Sequence, residues 1–301
     1  MKDRIEIVEV GPRDGLQNEA TMLTTEEKLL LIDHLVASGV RRIEVVSFAH
    51  PGHVPQMADA EAVMAGIDRS PDVSYIGLVM NERGWQRART TGVDEVNMPI
   101  MATETFNRKN QGATTEESLD VLASVVSEAA SDRVRVSAVI GVAWGCPFEG
   151  EVPIGHVVDV AERVAATGVD EIGLADTIGV GDPWSVAERI EAVRQVTGDI
   201  PLRVHFHDTR NTGIANAFAA IQSGITVLDA SVGGIGGCPF APGATGNIAT
   251  DDLVYMLDRA GFEHGISLPS LIGVSHELST ILGSPVPSAQ ARVSGFPGGS
   301  P

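Results

Sequence analysis

The strongest constraint on the fold is an alternation that runs the length of the chain. Eight short apolar runs rich in β-branched residues recur: "IEIVEV", "RRIEVVSF", "VSYIGLVM", "VDEVNMPI", "VRVSAVIG", "VDEIGLADT", "LRVHFHDT" and "ITVLDASVGG". Helix-period stretches such as "TTEEKLLLIDHLVASG" and "TTEESLDVLASVVSEAAS" follow them. Strand-like runs alternating with amphipathic helices read as βαβ units around a parallel sheet. Eight such units in 301 residues predict an α/β fold of the closed (β/α)8, or TIM-barrel, type. A weak repeat supports closure. "ASGV", "TTGV", "ATGV" and "QSGI" lead into the second, fourth, sixth and eighth runs. Gly39, Gly92, Gly168 and Gly224 are thereby placed to end helices in the left-handed conformation. A two-unit rhythm repeated four times fits a barrel better than an open doubly wound sheet. "LPSLIGVSHELSTILG" predicts one short extra helix, so a single barrel domain is expected over 1–283. The Pro-, Gly- and Ser-rich remainder, 284–301, is expected to be a flexible tail.

Bulk properties narrow the function. A net charge of −19 argues against nucleic acid as a partner, because phosphate binding needs basic surface. No apolar stretch approaches a membrane span, so no membrane partner is expected. The first strand-like run starts at the fifth residue, which leaves no leader segment to expect. Two cysteines do not suggest a disulfide scaffold, and a reducing, cytoplasmic setting is the natural reading.

In barrels of this type the chemistry gathers where strands end. Here those ends are crowded with glycine, proline and ionisable groups: "GPRDGLQNE", "SFAHPGHVPQM", "ADTIGVG", "HFHDTRN" and "GGIGGCPFAPGATGN". His205 and His207 are two apart on a strand and therefore share a face. Asp14 ends the first run and Asn247 follows the eighth, so closing the barrel brings all four to one mouth. Two imidazoles, a carboxylate and an amide oxygen form a mixed nitrogen and oxygen set suited to Mg²⁺ or Mn²⁺, and less to Zn²⁺. Four protein ligands would leave two positions for a chelating substrate. The bland reading of the adjacent Arg13 and Asp14 is a surface ion pair.

The stretch from Gly233 to Gly246 holds six glycines and two prolines, the composition of a lid. Cys238 in its middle is read as a proton donor or nucleophile, whereas Cys146 in "WGCPFEG" is expected to be buried core. The three lysines, Lys2, Lys28 and Lys109, offer no Schiff base inside a barrel, so carbon–carbon chemistry would have to use the metal. "FNRKNQG" is a local basic cluster in an acidic chain. Arg108, Lys109 and Asn110 could hold the phosphates of a cofactor such as coenzyme A, or form a solvated loop.

The segments "VEVGPRDGLQNE", "HFHDT" and "GGIGGCPFAPGATGNIATDDLVYML" closely resemble those of the 3-hydroxy-3-methylglutaryl-coenzyme A lyases, within the metal-dependent TIM-barrel family that also contains isopropylmalate and homocitrate synthases. The similarity runs from about Ile5 to about Leu257. The Arg-Asp-Gly and His-x-His motifs are shared across the wider family, while the Gly-Gly-Cys-Pro loop is more specific to the lyases. The resemblance implies cleavage of 3-hydroxy-3-methylglutaryl-CoA to acetyl-CoA and acetoacetate. It implies Asp14, His205, His207 and Asn247 as metal ligands, Arg13 as stabiliser of a thioester enolate, and Glu44 and Asp176 as further active-site carboxylates. Cys238 matches the lid cysteine, and His205 is a second candidate to protonate the enolate carbon. A homodimer and a place in leucine breakdown are family-based expectations.

Departures lie near the same mouth. Arg210 and Asn211 stand where well-known lyases carry Tyr-Gly, Gly173 where many carry serine, and His50 and His53 are additions. A related 3-hydroxy-3-methyl acyl-CoA, such as citramalyl-CoA, is therefore an alternative substrate. A condensing synthase would show Glu-Arg in the last loop and extra C-terminal domains. A non-catalytic acyl-CoA binder would have no use for Cys238.

Overall fold

The computed structural model describes residues 4–237 and 246–293. Eight parallel strands close into a barrel in the order β1 (Glu6–Glu9), β2 (Arg42–Ser47), β3 (Ser74–Leu78), β4 (Glu95–Met101), β5 (Arg135–Gly141), β8 (Glu171–Asp176), β9 (Leu202–Phe206) and β10 (Val227–Ala230), with β10 pairing back onto β1. The eight apolar runs all become these strands. β6 (Gly145–Cys146) and β7 (Gly150–Glu151) form a small antiparallel hairpin on the rim that the sequence reading did not anticipate.

Helices wrap the barrel: α1 (Thr25–Ala37), α2 (Ala60–Gly66), α3 (Glu82–Ala88), α4 (Glu104–Gln111), α5 (Thr115–Asp132), α6 (Ile154–Ala166), α7 (Pro183–Thr197), α8 (Gly213–Gln222) and α9 (Thr250–Ala260). Their starts follow from local chemistry. Thr24 and Thr114 each accept from the backbone three residues on, and Glu27 and Glu117 reach back to close reciprocal caps. Gly39, Gly92, Gly168 and Gly224 all have positive φ, as the repeat predicts. "FNRKNQG" proves to be mostly helix α4, ended by left-handed Gly112, rather than a loop.

The extra helix is α10 (Leu268–Leu282). The described part of the segment after α10 makes contacts with the barrel domain. Val286 is buried, the Ser288 amide donates to the Gly233 carbonyl at 2.8 Å, and Asp252 accepts from the Ala289 and Gln290 amides. An acidic side chain can dock a Pro-rich segment that has no periodicity of its own. Residues 294–301 lie outside the described part.

Alternation along each strand divides the core in two. Outward side chains such as Ile7, Ile43, Val96, Val204 and Leu228 join the large apolar layer between barrel and helices. Inside, Val8, Val10 and Ile76 make a small apolar cluster, and the remaining inward positions are notably polar. Arg42 pairs with Glu95 at 2.7 Å and with Glu171 at 2.8 Å, and Arg203 approaches Glu171 at 3.2 Å. Buried charges tolerate desolvation only when paired, and this set supplies the pairing. The polar interior forms the floor beneath the mouth. Among the described residues no helix is long and apolar enough to cross a membrane.

Candidate active site

The C-terminal mouth opens into a cavity of ≈ 700 Å³, within the range of small-molecule sites. Its walls carry Arg13, Asp14, His205, His207 and Asp229 on one side and Pro99, Met101, Val139 and Ala175 on another. The polar wall comes from β1, β9 and β10, three neighbours in the closed sheet.

Gly-Pro after β1 stops the strand, and Gly11–Gly15 forms a wide π-helical turn that presents Arg13 and Asp14. Glu9 anchors this turn from behind. Its carboxylate accepts from the Gly11 amide at 2.7 Å, the Val232 amide at 2.9 Å and the Thr250 hydroxyl at 2.6 Å. One buried side chain thus ties the turn to the segment after β10 and to the start of α9. Burial pushes the Glu9 carboxyl up to about 7 despite these three donors.

Arg13 is buried between two carboxylates. Its Nη1 donates to Asp14 at 2.6 Å and its Nε to Glu44. Asn97 donates to the other Glu44 oxygen at 2.8 Å and so fixes the carboxylate that, with Asp14, holds the guanidinium. Burial disfavours the Arg13 charge, but Glu44 and Asp14 more than offset it. Burial likewise opposes charge on Asp14, yet Arg13 and the two imidazoles hold its carboxyl well below the usual range.

His205 and His207 project into the same mouth with ring centroids 5.2 Å apart. His205 Nδ1 lies 3.1 Å from Asp229, while its Nε2 lies 3.9 Å from Asp14. Burial and the neighbouring His205 push His207 down to about 4, so its imidazole is neutral at pH 7 and has lone-pair capacity. His207 and Asn247 form an isolated bridge, which brings the segment after the eighth barrel strand against the seventh. Asn247 donates to Asp14 at 2.8 Å and to the Ile235 carbonyl at 3.2 Å.

These residues fit a metal ion. One ligand atom from each of Asp14, His205 and His207 lies within 4.8 Å of the others. The Asn247 Oδ1 and His207 Nδ1 atoms are buried with no hydrogen-bond partner among the described residues. Buried polar atoms left without a partner are costly unless a bound group meets them. The four ligand positions expected from sequence therefore converge.

Other sequence expectations fare differently. Glu44 reaches the site through Arg13. Asp176 ends β8 between Ala175 and Thr177, which both line the cavity, and its oxygens accept from the Val180 amide at 2.9 Å and the Gly181 amide at 2.8 Å. It caps the loop after β8, and burial raises its pKa. Arg108, Lys109 and Asn110 line the rim on α4. Arg108 pairs with Glu104 at 2.8 Å, and Lys109 lies 4.9 Å from the centre of the Phe148 ring. Cys146 is buried as expected, and Cys238 lies outside the described residues.

The departures have local consequences. Arg210 donates to the Ile178 and Gly179 carbonyls, both at 2.9 Å, and clasps two strand-end loops. A methyl group at Gly173 would lie 2.7 Å from Val139, so an apolar side chain fills that part of the wall. His50 and His53 are exposed on the cavity rim. Sequence reading missed Glu9, Asn97, Asp229 and Arg203. Counting by twos from His205 finds Arg203, since both must face inward.

With this geometry in view, the HMGL-like family model matches residues 4–277. The hydroxymethylglutaryl-CoA lyase YngG of Bacillus subtilis is 41% identical over 290 residues, covering 96% of this chain and 97% of that protein. The cytoplasmic 3-hydroxy-3-methylglutaryl-CoA lyase of Danio rerio is 47% identical over 264 residues, covering 88% and 79%. Among solved structures, an HMG-CoA lyase from Acinetobacter baumannii in complex with coenzyme A and 3-methylmalate superimposes with a TM-score of 0.95 at 37% identity, covering 99% of this chain and 98% of that one.

Proposed function

The chain belongs to the HMGL-like family, and from that premise we propose that it is a carbon–carbon lyase that cleaves 3-hydroxy-3-methylglutaryl-CoA to acetyl-CoA and acetoacetate. The observation that carries this reading is the convergence of Asp14, His205, His207 and Asn247 beside the Arg13–Glu44 pair, in one cavity large enough for an acyl group and part of its thioester arm.

Asp14, His205, His207 and Asn247 would hold a divalent cation, with Mg²⁺ or Mn²⁺ preferred over Zn²⁺ by the donor set. When bound, such a cation polarises a substrate hydroxyl and makes its proton easier to remove. The protein's own groups account for the rest. Loss of the hydroxyl proton lets the bond between C2 and C3 break, and its electron pair passes onto the thioester as an enolate. Arg13 places a fixed positive charge at the mouth where that negative charge develops. Because Glu44, fixed by Asn97, holds the guanidinium in place, little reorganisation is needed at the moment of bond cleavage. Protonation of the enolate carbon completes acetyl-CoA, and Cys238 is assigned as the donor. Arg108, Lys109 and Asn110 are assigned to the anionic coenzyme A end, supported by their place on the rim of a chain with net charge −19.

The domain is assigned to 1–283. A homodimer, a cytoplasmic location and a role in leucine breakdown belong to the same reading. Cysteine usage supports the location, and sedimentation tests the dimer. The deciding experiment is turnover of 3-hydroxy-3-methylglutaryl-CoA by metal-stripped protein, with and without added Mg²⁺ or Mn²⁺, following acetoacetate. Metal-dependent release supports the proposal. Failure with this thioester alongside turnover of citramalyl-CoA would reassign the substrate.

A further inference from the structure

We propose that Asp229 is the positioning residue for His205: it holds the imidazole with Nδ1 turned toward β10 and Nε2 toward Asp14, and so sets the affinity for the divalent cation. This rests on the metal reading given above. Asp229 faces inward on β10 and is in register with His205 on β9. Its Oδ2 lies 3.1 Å from His205 Nδ1, and both groups line the cavity. An ionised carboxylate only accepts, so the bond requires the hydrogen on Nδ1. In a neutral ring the lone pair is then on Nε2, which faces Asp14 at 3.9 Å.

Asp229 is itself held from below. Arg203, fully buried one inward position before His205, places Nη1 at 3.5 Å from the second Asp229 oxygen. Glu171 in turn lies 3.2 Å from Arg203 Nε. Glu171, Arg203, Asp229 and His205 therefore form a ladder from the barrel floor to the mouth. His207 is held otherwise, since its Nδ1 has no hydrogen-bond partner among the described residues. Removing the Asp229 charge should therefore act on one ligand and leave the other in place. Partners that orient a ligating imidazole commonly account for about 10- to 100-fold in metal affinity.

The test is titration of metal-stripped full-length protein with Mn²⁺, reading free Mn²⁺ by electron paramagnetic resonance, with thermal melting of the same samples. Asp229→Asn keeps the shape and removes the charge, and is expected to weaken Mn²⁺ binding by about 10- to 100-fold. Trp85→Leu trims a buried side chain of the outer apolar layer, on α3, without touching the ladder. It is expected to lower the melting temperature and keep the wild-type Mn²⁺ affinity. Wild-type affinity in Asp229→Asn would overturn the inference, as would equal weakening in Trp85→Leu. Should Asp229→Asn fail to fold, Asp229→Glu, which keeps the charge but displaces the carboxylate, must bind Mn²⁺ more weakly for the inference to stand. Absence of Mn²⁺ binding by the wild type would refute the metal reading itself, and this inference with it.

Discussion

Glu9→Gln isolates the cost of one buried charge behind the active-site turn. Glu9 is fully buried, and its carboxyl is raised from an ordinary 4.5 to about 7. That interval corresponds to about 3 kcal/mol of preference for the neutral form in the folded state, with no solvent discount for a group this enclosed. The folded-state value lies above the unfolded one, so the folded protein holds the extra proton between them. Its contribution to stability is fully present below about 4.5 and is lost as pH rises through about 7. Glutamine cannot ionise, yet it retains the contacts: its oxygen accepts from Gly11 and Val232, and its amide donates to the Thr250 hydroxyl. Nearby Asp251, also raised by burial, is present in both proteins and largely cancels in the comparison. Urea denaturation at about pH 5 and about pH 8 should therefore show the variant gaining about 2.5 kcal/mol on the wild type across that range. The opposite trend, with the wild type gaining as pH rises, would mean that the three donors outweigh desolvation. It would refute the reasoning.

Three further outcomes test the site. Arg13→Gln removes the charge facing the developing enolate and should lower kcat by roughly 10²- to 10³-fold, read as acetyl-CoA release under saturating metal and substrate; a loss confined to KM would show that the charge acts in binding alone. His207→Ala should abolish Mn²⁺ binding in a folded protein, checked by the same titration with circular dichroism as the control. In Gly246→Ala the new methyl group would collide with the Gly234 carbonyl and the Ile235–Gly236 backbone, just before Asn247. It should cost about 3 kcal/mol on denaturation and weaken Mn²⁺ binding, and an unchanged melting temperature would show that the loop yields freely.

The legible parts of this protein are those set by local period and composition. The apolar runs locate all eight barrel strands because alternation and β-branching are properties of a few consecutive residues. Gly39, Gly92, Gly168 and Gly224 mark helix ends because a left-handed cap disfavours a side chain. The hairpin around Cys146, with two residues per strand, and the short helix α4, which has a polar sequence, lack such a period and were missed. Asp176 illustrates a different limit. Its oxygens cap the loop after β8 through the Val180 and Gly181 amides, a turn contact that no periodic pattern in the sequence announces.

By itself, then, the sequence determined the barrel, the motifs at its strand ends and the residue types suited to a divalent metal, since each of these is written in neighbouring positions. Only the tertiary structure decided which groups hold them in place. Glu44 lies 31 residues from Arg13, Asp229 lies 24 from His205, and Asn247 lies 233 from Asp14. Those distances in sequence become contacts because β10 closes against β1 and each inward side chain meets its counterpart on the next strand, and no local pattern records which counterpart that will be.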